Sequence, residues 1–112
     1  MGPYNEFAII DHLELEYDYS FTDKDKYNYV KISDDFVNEW VSNLKKMPTF
    51  WHNLNRPNEG LARYGVTLIP PKSLLEFLNV VIKDENRSEV KKLIELIEEA
   101  IKEKKYIIHF GI

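Results

Sequence analysis

The chain holds three histidines, His12, His52 and His109. Two imidazoles that reach one substrate can share general acid and general base work, and a guanidinium beside them can hold developing negative charge. His52 and His109, joined by Arg56 or Arg63, are the set that an RNase-like small hydrolase or a ligand-binding domain would use. That chemistry requires the two rings to converge, and their spacing does not bring them together. His109 lies inside the apolar closing run YIIHF, where a hydrogen-bonded histidine of the sheet is the commoner case. His52 belongs to the run Phe50-Trp51-His52-Asn53-Leu54-Asn55-Arg56. Loops carry function more often than the elements they join, and Trp and Arg are favoured interface anchors. Trp51, His52, Asn53 and Arg56 are therefore candidates for binding a partner. The plainer alternative has Phe50 and Trp51 closing one end of the core.

The carboxylates form a second candidate set. In Leu13–Phe21, LELEYDYSF, apolar and aromatic residues alternate with Glu14, Glu16, Asp18 and Ser20. In a strand, successive side chains point to opposite faces, so the three acids would share one side. Residues 1–40 hold three lysines and ten carboxylates, a net charge of −7, whereas residues 41–112 hold twelve basic and nine acidic side chains, a net of +3. Such asymmetry bears on partners. It speaks against nucleic acid, whose phosphates need cations, and for a basic protein steered to its site by charge. Asp34, Asp35 and Glu39 would extend the surface. The bland reading is an acidic solvent face. Carboxylates ~7 Å apart on a strand repel by only ~0.6 kcal/mol in water. Burial of Leu15 alone is worth roughly 2 kcal/mol. The docking reading requires Leu13–Phe21 to be extended, with Glu14, Glu16 and Asp18 left in water. Evenly spaced acids on a flat strand do not make a calcium loop, and neither metal nor cofactor is expected.

Other chemistries lack their residues. There is no cysteine, hence no thiolate nucleophile and no thiolate metal site. No phosphate-cradling glycine loop, nucleophile elbow or zincin helix occurs. The serines read as turn, cap and surface residues. At 44% hydrophobic and 13% aromatic residues, the 112-residue chain reads as one folded domain over 1–112. The first residues, MGPYNEF, lack the blocks of a secretory signal, and Glu6 stands where myristoylation requires Ser or Thr. With no long apolar run, these features predict a cytoplasmic protein with no membrane partner.

The elements that must position these residues follow from periodicity. Glu6–Ile10, Leu13–Phe21 and Tyr27–Ile32 read as strands, the last two joined by a turn at 23–26. That hairpin would set Asp18 opposite Lys31, Tyr19 opposite Val30 and Tyr17 opposite Ile32. Ser33 caps a helix predicted over Asp34–Met47 and stopped by Pro48. Thr49–Gly60 reads as a loop and Leu61–Ile69 as a strand. Pro70-Pro71 opens a helix whose apolar face includes Leu74, Leu75, Leu78, Val81 and Ile82. A last helix, Glu89–Glu103, precedes the strand Tyr106–Phe110, which is apolar on both sides and belongs inside a sheet. The order βββ-α-β-α-α-β predicts an α+β domain: a mostly antiparallel sheet of about five strands, backed on one face by three helices.

The segments YGVTLIPPKSL (Tyr64–Leu74) and KYIIHFGI (Lys105–Ile112) resemble parts of small uncharacterised bacterial α+β proteins of the toxin-immunity kind. The resemblance implies a stoichiometric binder and transfers no residue role. Together with the acidity it leads to an expected function: a small acidic protein-interaction module, most concretely an immunity-type inhibitor of a basic toxin or nuclease. The enzyme built on His52, His109 and Arg56 is the alternative, and a homodimer formed through strand edges is a third.

Overall fold

The computed structural model describes residues 3–112, apart from the side chain of Phe21. Met1 and Gly2, on which the expectations about a leader and a lipid partly fall, lie outside the described residues. Among the described residues six strands form one sheet: β1 (Tyr4–Ile10), β2 (Val30–Ser33), β3 (Pro48–Trp51), β4 (Pro57–Glu59), β5 (Val66–Ile69) and β6 (Tyr106–Phe110). Their spatial order is β2-β1-β6-β5-β3-β4, and every neighbouring pair is antiparallel. Three helices, α1 (Asp34–Leu44), α2 (Leu74–Val81) and α3 (Ser88–Glu103), complete the predicted α+β class.

The alternation along each strand divides the apolar residues between two cores. Phe7, Ile32, Ile69 and Ile107 face the helices and pack with Trp40, Leu44, Leu74, Phe77, Leu93 and Ile97. On the other face, Ala8, Ile10, Val66, Leu68, Ile108 and Phe110 form a second cluster with Tyr19. β6 serves both cores, which is why its two faces are apolar and why it sits between β1 and β5. The α3 stripe follows the 3.6-residue period and buries Val90, Leu93, Ile94, Ile97 and Ala100. In α2 the buried residues are instead Leu74, Phe77, Val80 and Val81, and Leu75 and Ile82 of the expected apolar face are exposed. Ser33 Oγ accepts from the Asp35 amide at 3.3 Å and starts α1, as its side chain predicts. The helix ends at Leu44, three residues short of the predicted Met47.

Four expectations are corrected. Leu13–Phe21 is not a strand. Asp18 and Asp23 turn their carboxylates onto the amides of Ser20 and Asp25 at 2.9 and 3.0 Å, and these local bonds start 3-10 turns at Tyr19–Phe21 and Lys24–Lys26 in place of a ladder. The hairpin of 17–22 with 27–32 is therefore absent. β2 pairs with β1 instead, with Phe7 opposite Val30 and Lys31 opposite Glu6, whose carboxylate pairs with Lys24, so the lysine expected beside Asp18 stands on another strand pair. Thr49–Gly60 is not all loop: Asn53 Oδ1 accepts from the Asn55 amide at 2.8 Å, a side-chain turn that folds β3 back on β4. Within Leu61–Ile69 only Val66–Ile69 is extended.

Candidate functional site

Residues 11–29 leave the end of β1, cross the second face of the sheet and return to β2. Tyr19 fixes this path. It is buried, its amide donates to the His52 carbonyl at 2.6 Å, and its hydroxyl accepts from the Glu14 amide at 2.8 Å. The Tyr17 ring meets it edge-on at 4.8 Å. Between these anchors the Tyr17 amide donates to the Glu14 carbonyl at 3.3 Å and closes a turn. Its tip carries Glu14, Leu15 and Glu16, all exposed, with Leu15 at 62%. The predicted stripe of three carboxylates in extended register does not form. Asp18 instead turns back onto Ser20, accepting from its amide and from its hydroxyl at 2.6 Å. Those two hydrogen bonds, helped by the charges of His52 and Arg56, hold its carboxyl below the usual range.

The turn forms one wall of a groove of about 550 Å³. Ile9 and Ile10 of β1 lie at its base, Tyr17, Tyr19 and Tyr27 on one side, and Leu96, Glu99 and Glu103 of α3 on the other. Its charged lining is Asp11, Glu14, Glu99 and Glu103 against Lys26 and Lys105, a net charge of −2. Lys105 is bound by Asp11 at 2.5 Å and by Glu103 at 2.8 Å, and those hydrogen bonds raise its pKa. Among the described residues no Lys or Arg lies within 4 Å of Glu14 or Glu99.

The acidic turn and the loop after β3 do meet, as neither segment's sequence shows. Asn55 Nδ2 donates to the Leu15 carbonyl at 3.3 Å, and Asp18 feels Arg56. The other candidates are placed elsewhere. Trp51 stands opposite Thr67, on the helix-facing side, and its indole N–H donates to the Gly60 carbonyl at 3.1 Å. His52 adopts a left-handed backbone with φ 72°, and its ring lies so close to Gly65 that a Cβ there would meet Cε1 at 2.6 Å. Asn53 is spent on its turn. Asp34 begins α1, where Arg63 Nη2 donates to Oδ2 at 2.7 Å and Asn5 Nδ2 to Oδ1 at 2.8 Å. Asp35 and Glu39 are exposed on α1.

His109 is fully buried and is not joined to His52 or Arg56. Nε2 lies 2.7 Å from Asn5 Oδ1 and Nδ1 3.3 Å from Thr67 Oγ1. Asp34 can only accept, so the Asn5 amide nitrogen faces it and the Asn5 oxygen faces His109, which assigns the ring proton to Nε2. Thr67 Oγ1 also accepts from the Ala62 amide at 2.8 Å. The chain Arg63–Asp34–Asn5–His109–Thr67–Ala62 thus closes on adjacent residues and pins the turn before β5. Burial pushes the imidazole pKa down to about 3. Sequence reasoning missed Asn5 and Thr67, which no motif marks.

Among the described residues no three His, Asp or Glu side chains gather in a way that could hold a metal ion. Among the described residues no helix is long and apolar enough to cross a membrane. Comparison with family models, curated proteins and solved structures found no match to this chain.

Proposed function

We propose that this chain is a binding module for a basic protein partner, most concretely an immunity-type inhibitor of a cationic toxin or nuclease. The observation that carries the reading is the groove between the 11–28 segment and α3, with its net negative lining, and the exposed Leu15 on the turn beside Glu14. The extended acidic stripe does not support it, because that stripe is absent. Charge in the groove speeds encounter and rejects acidic competitors, and the tyrosine rings supply rigid contact area at small entropic cost. Residues 1–40 keep their net charge of −7, and only Glu6, Asp11 and Asp34 among their ten acids are paired to Lys or Arg among the described residues. Cytoplasmic residence belongs to the same proposal.

The test begins with the proteins encoded beside this chain in its genome. A basic neighbour should associate at a rate that falls ten-fold or more when the ionic strength is raised to about 1 M, where the Debye length is about 3 Å. Glu14→Gln with Glu99→Gln should slow association at low salt and leave the rate at high salt unchanged. An association rate indifferent to both changes removes the cationic partner from the reading.

A further inference from the structure

The outer edge of β1 is open where it enters the groove. β2 pairs with β1 only from Tyr4–Ser33 to Phe7–Val30, so among the described residues Ala8, Ile9 and Ile10 have no strand on that side. The direction of their backbone groups follows from two hydrogen bonds. The Asp34 amide donates to the Pro3 carbonyl at 3.0 Å, so odd-numbered residues of β1 turn their polar groups toward β2. Independently, the Gly111 amide donates to the Gly65 carbonyl at 2.8 Å. Odd residues of β6 therefore face β5, and even residues face β1, where Phe110 meets Glu6. Both routes assign the N–H and C=O of Ile9 to the outer edge. No backbone group among the described residues bonds to either.

We propose that an extended basic segment of a protein partner adds to the sheet at this edge, pairing with Ile9 and running between the tyrosines and α3. The inference rests on the reading of a cationic partner and names the element through which that partner engages. An open donor and acceptor on a strand edge is a template for another strand. Alternate side chains of the incoming strand would face Leu96, Glu99 and Glu103 above the sheet and Tyr17 and Tyr27 below it. The groove's charge selects the occupant. A second copy of this chain pairing edge to edge would set one lining of net charge −2 against another. Lysine or arginine at alternate positions would instead meet the carboxylates of Glu14 and Glu99, which no Lys or Arg among the described residues pairs.

The probe is a capped eight-residue peptide alternating Lys and Thr, titrated into the isotopically labelled protein. Three controls accompany it: the same peptide N-methylated at alternate residues, a Glu-for-Lys counterpart, and the variant Ile9→Pro, which deletes an outward N–H at a position where an edge strand tolerates proline. The expected result is a shift of the Ile9 and Asp11 amides, with N-methylation weakening binding about ten-fold, the loss of one or two backbone hydrogen bonds. Should Ile9→Pro fail to fold, the N-methylated peptide still decides. Binding that N-methylation leaves intact and that maps to the Glu14–Asp18 turn overturns strand addition while sparing the cationic partner. Equal binding of the Glu peptide overturns both. Silence of the Ile9 amide at millimolar peptide, or a dimer of this chain that occludes it, overturns strand addition.

Discussion

The imidazole of His109 makes a quantitative prediction about acid. The unfolded chain binds a proton on this ring with a pKa near 6.5, and the folded chain does so only at about 3. A group whose folded pKa is depressed contributes stability that is complete above its unfolded pKa and is lost as pH falls toward its folded one. Each unit is worth about 1.4 kcal/mol, so lowering the pH from 6.5 to 4 should cost about 3 kcal/mol through this residue alone. That is a large share of a stability of roughly 5–15 kcal/mol. The perturbation that isolates it is His109→Gln, which keeps an amide donor and acceptor in the cavity and removes the titration. At pH 7 the variant should be the less stable by about 1–3 kcal/mol, because a glutamine cannot meet both Asn5 and Thr67 at the imidazole's geometry. By pH 4 that gap should close or reverse. Urea unfolding of both proteins at pH 7, 5.5 and 4 measures it, and other titrating groups cancel between the two curves. Parallel stability curves across that range would refute the reasoning, since they would mean that the folded ring accepts a proton as easily as the unfolded one.

Tyr19→Phe should cost about 1 kcal/mol in urea and speed hydrogen exchange at the Glu14 amide, whose acceptor it removes; unchanged exchange there would contradict the anchoring role. Two glycines should part company. A Cβ at Gly111 would lie 2.2 Å from the Arg63 carbonyl oxygen, and Gly111→Ala should cost ~2 kcal/mol or more because backbone cannot give way. Gly65→Ala meets only the far end of the His52 ring and should cost under about 1 kcal/mol while shifting the His52 ring signals; the opposite order of melting temperatures would sink the account. Glu14→Gln with Glu16→Gln should leave thermal stability within about 0.5 kcal/mol, since among the described residues neither side chain is bonded to a lysine or arginine.

The fold class was legible because the helix stripes and the two-sided apolar run Tyr106–Phe110 are long and regular. LELEYDYSF misled for a physical reason. Its alternation is real in part: Tyr17 and Tyr19 turn inward while Glu14 and Glu16 turn outward. What decides its conformation is side-chain capping by Asp18 and Asp23, each two residues before the amide it binds. Those Asx signals stood in the sequence and outweighed strand propensity. The hairpin of β3 and β4 hid behind Pro48 and Pro57, which each open a strand, a place where a missing N–H is tolerated. The partners of His109 lay beyond reach of any local pattern, 42 and 104 residues away in the chain.

The open edge of β1 and the cover on the second face have one cause. If β2 began two residues earlier, Asn28 and Tyr29 would pair with β1 and close the groove. Tyr29 instead drops beneath the sheet, where its ring meets Phe110 edge-on at 5.7 Å and its hydroxyl donates to the Lys24 carbonyl. Tyr27 follows at 6.2 Å from the same ring, and its hydroxyl lies 3.2 Å from that of Thr22. Burying an aromatic side chain is worth roughly 1.5–3 kcal/mol, and a net backbone hydrogen bond about 1 kcal/mol. In ladder register these rings would stand over Ala8 and Ile10; by leaving it they reach Phe110 on β6 and join Tyr17 and Tyr19 in the second core, contacts that offset the ladder bonds given up at Ile9. The shortness of β2 thus follows from the chain's having three helices for one face of the sheet and only a tyrosine-rich segment for the other.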